Sequence, residues 1–134
     1  MILDKTSAAL YTTLTGGTAL TALLAGTASV YDMQAPDNAA LPFVVFSHQA
    51  GGPDNLDNND LEQNVWNIRG YSATSPKAAT LIFEQFDLLL DRVNISITGF
   101  NTIWCAREEN YKLVEETPNG RIYSAGGMYR IRTA

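Results

Sequence analysis

From Leu61 to Ser72 apolar and polar residues alternate, with Trp66 and Ile68 on one side and Asn67 and Arg69 on the other. A period of two is that of a strand with one buried face, so the spacing predicts a strand over 61–72. Ser75 then stands directly before Pro76, a residue that caps a helix followed by one that tolerates the first helical position. Beyond it Ala79, Ile82, Phe83, Phe86, Leu89, Leu90 and Val93 recur at three- and four-residue spacing, while Lys77, Glu84, Asp87 and Arg92 fall largely off that stripe. This predicts a helix over 76–92 with a broad apolar side that must lie on something, most simply the apolar face of a sheet. The expected core is Trp66 and Ile68 from the strand with Ile82, Phe83, Phe86 and Leu90 from the helix.

The rest of the chain is organised around this unit. Leu3, Ala8, Leu10, Tyr11 and Leu14 predict an amphipathic first helix over 3–14, which Gly16-Gly17 stops. Thr18 opens a short second helix through Leu24, although its threonines are weak helix formers. A short strand is expected over 29–33, a proline-bounded loop over 34–42, and a buried strand at Phe43–Gln49, where the run is aromatic and β-branched. The next ten residues, 51–60, are too polar to fold alone and form an excursion between two strands. After the helix, 94–108 reads as one or two strands, with Ile95 and Ile97 before a break at Gly99 and then 102–107. Runs 111–116 and 121–132 follow, joined by an Asn119-Gly120 hairpin signal. Gly126-Gly127 inside the last run suggests a bulge or a close backbone approach. The order predicts a single α+β domain over 1–134: a mainly antiparallel sheet with two main helices packed on one face.

Composition narrows the function. Hydrophobic residues make up 46% and charged residues 17%, ordinary globular values. With 14 acidic and 9 basic residues the net charge is −5, the wrong balance for gripping DNA by its phosphates. One cysteine, Cys105, excludes an internal disulfide and points to a cytosolic site of assembly. No apolar run approaches the ~20 residues of a membrane-spanning helix, and the N-terminus does not read as a secretory signal.

Catalytic patterns are thin, and the residues predict no catalytic, cofactor or metal site. His48 and Ser47 are neighbours on a strand and point to opposite faces, so they do not form a nucleophile–base pair. Cys105 follows Trp104 in an apolar run, where an inert buried thiol is the common outcome. Asp54, Asp57 and Asp60 are spaced by three, unlike the alternating ligands of an EF-hand loop, and read as a solvated acidic stretch. With Leu56 as an apolar anchor, these three aspartates are instead the candidate partner interface. Arg69, Arg107, Arg121, Arg130 and Arg132 lie on strands, where pairing with Glu108, Glu115 and Glu116 is expected rather than a basic patch.

A resemblance goes further. Ala19-Leu20-Thr21-Ala22-Leu23, then Val30-Tyr31-Asp32, Pro36 and Pro42-Phe43-Val44-Val45, and later Val65-Trp66-Asn67-Ile68 before Ser75-Pro76-Lys77-Ala78, occur in the order seen in one phage family. Over residues 8–92 the chain resembles the small tail terminator, or tail completion, proteins of long-tailed phages. The resemblance implies a non-enzymatic virion protein without cofactors that forms a homohexameric ring on the last ring of the tail tube. Such a ring stops polymerisation of the tube protein and meets the head-completion (stopper) protein. DNA would slide through its lumen without specific binding, and no membrane is involved. The expected location is the tail–neck junction of the virion, with assembly in the host cytoplasm. The alternative is another neck or tail component that also forms a ring, such as a connector or a tail-tube-like subunit. The residues alone also admit a small ligand-binding α+β domain with His48 or Cys105 in a pocket.

Overall fold

A computed structural model describes residues 2–53, 61–118 and 120–134. The elements in chain order are α1 (Ile2–Thr15), α2 (Thr18–Thr21), β1 (Val30–Asp32), β2 (Phe43–Pro53), β3 (Glu62–Ser72), α3 (Pro76–Leu90), β4 (Thr102–Thr117) and β5 (Gly120–Thr133). The strands form one sheet in the order β1-β2-β3-β5-β4, antiparallel at every pairing except β1 with β2. This is an α+β architecture.

The alternation in β3 does what the period-two pattern requires. Asn64, Trp66, Ile68, Gly70 and Ser72 are buried, and the residues between them are half-exposed. The ladder carries that side across the sheet, since Trp66 pairs with Tyr129 and, in β2, with His48. α3 packs on β3, β5 and β4, α1 on β1, and the helices also touch one another. Helices therefore cover one face, and among the described residues no element lies over the other. Ser75 caps α3 by accepting a hydrogen bond at Oγ from the Ala78 N–H (3.1 Å), which satisfies one of the donors a helix start leaves open. Ala79, Ile82, Phe83, Phe86 and Leu90 form its buried side. Phe86 packs against Phe83 and edge-on to Tyr129 (centroids 5.2 and 6.3 Å apart), whereas the ring neighbours of Trp66 are Phe46 and His48 of β2.

Five sequence expectations change. α2 ends at Thr21, short of Leu24. α3 ends at Leu90, short of 92, because Arg92 adopts a positive φ of 59° and turns its N–H to the Cys105 carbonyl (2.7 Å). β2 runs beyond Gln49 to Pro53. A bulge between His48 and Ala50 resets the register, so that residues 51–53 of the expected excursion pair with 62–64. Ile95 and Ile97 form no strand, apart from one bridge between Ile97 and Phe100, and instead bury their side chains in the core. Finally, 102–107 and 111–116 are one continuous strand, β4. Its run of Arg107, Glu108, Glu109 and Asn110 is strand without alternation, because an outer strand need not bury either side there. Gly126 and Gly127 stay in register with Arg69 and Ile68, so the pair marks a close approach. The irregularity lies opposite, between Arg107 and Glu109 of β4.

Candidate interaction surfaces

The open face carries a chain of stacked side chains from one edge to the other. Tyr31 of β1 meets Phe43 of β2 edge-on (5.7 Å), and Phe43 meets Tyr71 of β3 (5.2 Å). Arg69 then lies between Tyr71 and Tyr111 of β4, its Cζ 5.7 and 4.9 Å from the two ring centres. Arg69 Nε donates to the Tyr111 hydroxyl (3.0 Å) and Nη1 to that of Tyr71 (3.1 Å), while the Tyr111 hydroxyl donates to Asn67 Oδ1. Burial works against the Arg69 charge, but the Tyr111 and Tyr71 hydroxyls outweigh it and hold the guanidinium above its ordinary pKa. Farther along, Arg130 grips Glu108 through Nε and Nη2 (2.5 and 3.1 Å) and donates through Nη1 to Gln63 (3.0 Å). The expected arginine–glutamate pairing thus holds for Arg130 with Glu108 and for Arg121 with Glu116 (3.1 Å), but Arg107 turns to the helix side.

There Arg107 Nη1 donates to Asp87 Oδ2 and the Tyr129 hydroxyl to Asp87 Oδ1, both at 2.7 Å, while the Arg107 N–H reaches Asp91 Oδ1 at 2.9 Å. Asp87, off the apolar stripe in sequence, is therefore the clamp that fixes the end of α3 to β4 and β5. The sequence signal for it was present only as a single acid four residues after Phe83 and three before Leu90. Cys105 lies beneath this clamp, fully buried, and burial together with Asp91 and Asp87 pushes its thiol up to about 12. Burial, then the bond to Asp87, likewise raises the Tyr129 hydroxyl well above the ordinary phenol. A thiol so held is neutral at pH 7 and does not act as a nucleophile.

These two shifts make a testable pH dependence. Both groups keep in the folded state protons that the unfolded chain releases, so stability falls wherever the unfolded chain alone has ionised. The urea midpoint is expected to decline as pH rises above about 9, the ordinary thiol value. Cys105→Ala should make the first part of that decline shallower, because the thiol titrates before the phenol.

His48 offers no catalytic arrangement. Its Nε2–H donates to Asn64 Oδ1 (2.9 Å) and its ring meets Trp66 edge-on (5.2 Å), so it joins β2 to β3 at the margin of the core. Among the described residues no group of three His, Cys, Asp or Glu side chains is placed to hold a metal ion. The candidate interface residues Asp54, Leu56, Asp57 and Asp60 lie outside the described residues, between the paired ends of β2 and β3. No helix among the described residues is long and apolar enough to cross a membrane. Five exposed residues in a row, Lys112–Glu116, stand on β4, and open clefts lie beside α3, β4 and the 35–41 loop, between the ends of β2 and β3, and between α2 and α3.

The same fold occurs in solved structures. A chain in the virion of a native gene transfer agent particle superposes with a TM-score of 0.80 at 15% identity, over 98% of this chain and 96% of that one. A second solved structure superposes with a TM-score of 0.65 at 11% identity, over 100% and 96%. No curated protein matches the chain. The family described as "Tail completion protein gp17" matches residues 8–133, nearly the whole length. The chain belongs to the tail completion protein gp17 family.

Proposed function

We propose that this chain, by its family a structural protein of the phage tail, closes into a ring at the head-proximal end of the tail tube. In this reading the ring ends tube polymerisation with one face and receives the head-completion protein with the other. The observation that carries it is the family match along residues 8–133.

Physical features of the subunit support a head-to-tail ring. The sheet has helices on one face only, and its two edges differ: β1 has 3 residues and β4 has 16. A subunit with unlike sides joins its neighbour through two different patches, and such contacts close into rings with two distinct faces, one for each partner. Six copies would make the hexamer that the family resemblance implies. The net charge of −5 suits a lumen through which DNA slides, because like charge discourages sticking.

The segment with Asp54, Leu56, Asp57 and Asp60 is assigned to partner contact in this reading. Its composition is too polar for a core, and ordering a chain costs roughly 1–2 kcal/mol per residue, which contacts with a partner would have to offset. Replacing residues 54–60 by a shorter Gly-Ser linker is expected to leave the circular dichroism spectrum unchanged and to lower the yield of joined, infectious particles. Full yield from the shortened chain would remove the segment from the interface.

A further inference from the structure

Building on the ring reading, we propose that subunits join by seating the outward stripe of α3 of one copy in the trough between α3 and β4 of the next. The stripe is Lys77, Leu81, Glu84 and Leu88, at spacings of four, three and four. These residues are exposed and lie on the side of α3 opposite its buried side. Leu81 and Leu88 keep 40% and 72% of their surface in water, and among the described residues no element covers them.

The trough is the strip of the helix-bearing face that α3 leaves uncovered. Asn110, Lys112 and Val114 pair with Gly127, Ala125 and Tyr123, so their side chains stand on the same side as the core, yet all three are exposed and Val114 is 57% open. Two adjoining hollows of about 350 and 290 Å³ run along it and share Lys112. Phe83 lines the first, and Tyr123 and Val114 line the second.

The charges and the apolar residues of the two surfaces match in order. Up α3 they run cation (Lys77), apolar (Leu81), anion (Glu84), apolar (Leu88). Down β4 they run anion (Glu116), apolar (Val114), cation (Lys112), then the hollow over Phe83. Eleven residues of helix span about 16 Å and six of strand about 20 Å, so the two series keep step along their length. Laid antiparallel, Lys77 meets Glu116, Leu81 meets Val114, Glu84 meets Lys112, and Leu88 fills the Phe83 hollow. Laid the other way with Leu81 kept on Val114, Lys77 would face Lys112 and Glu84 would face Glu116, so repulsion disfavours that direction. Arg121 already partners Glu116, but that pair is wide open to solvent and leaves the carboxylate accessible.

The partner is a second copy because one chain cannot satisfy itself. The stripe points away from its own sheet, while the trough opens beside the helix. Two unlike patches that fit each other make a heterologous contact, the kind a ring requires.

Cysteine pairing in assembled tails tests the contact, since Cys105 is buried and does not interfere. Chains carrying Leu81→Cys and chains carrying Val114→Cys, co-assembled and oxidised, are expected to give a covalent dimer that neither gives alone. One chain carrying both changes should give a ladder of multimers. Glu84→Lys and Lys112→Glu should each lower ring assembly at least tenfold with circular dichroism unchanged, and the two together should restore it. A ring visible at the tail end without cross-links, or double-charge variants that do not recover, would overturn this contact and leave the ring reading standing. Wild-type tails with no multi-copy ring of this chain would overturn both.

Discussion

Replacing Trp66 by alanine is expected to cost about 3–5 kcal/mol, the range for emptying a buried aromatic site. Trp66 is 1% exposed and is the largest of the fully buried side chains. It stands in the middle of β3, with Phe46 and His48 beside it and Tyr129 across the ladder. The loss is one of packing, because its indole N–H has no hydrogen-bond partner among the described residues. Trp66→Phe, which keeps an aromatic ring and gives up only that idle N–H and some volume, should therefore cost much less than Trp66→Ala. The urea midpoint of the two variants measures this. An unshifted midpoint for Trp66→Ala would contradict the core described above.

Gly126→Ala is expected to be as damaging, although it adds a single methyl group. A Cβ at residue 126 would collide with the carbonyl oxygen of Ile68 and come within 2.8 Å of the Arg69 Cα, both backbone atoms of β3. Backbone in a central ladder cannot move aside as a flexible side chain does, so β3 and β5 would have to part at the centre of the sheet. The expected result is a loss of several kcal/mol, or failure to fold at 37 °C. Gly52→Ala is the control, since a Cβ there meets nothing within 4 Å. It should leave the midpoint close to that of the parent chain.

The parts of the fold that bury one side were readable in the sequence. β3 and α3 announce themselves by period two and by the three-and-four stripe, and Ser75-Pro76 marks where one gives way to the other. Outer elements were harder to read, for a physical reason. β4 is exposed on both sides through Arg107–Asn110 and again through Lys112–Glu116, so no alternation distinguishes it from two short strands. Ile95 and Ile97 gave the opposite error. Their alternation reflects two side chains plugging the core from a turn, with no ladder beneath them. Interaction surfaces were less legible still. The trough forms where residues 76–83 and 110–114 meet in space, and the Asp87 clamp joins residues about 20 and 42 positions apart. Local pattern carries neither. The family likeness was legible because it resides in small and apolar residues at fixed order, the same residues that build the helices and the core.

The central claim is that this chain ends the tail tube and joins it to the head, and tail length in particles made without it tests that claim most directly. Electron microscopy of a lysate lacking the chain is expected to show tubes of variable, overgrown length, detached from filled heads. Supplying the purified chain before tubes overgrow should restore uniform tails that join. Tails of normal, uniform length attached to heads in its absence would contradict the account.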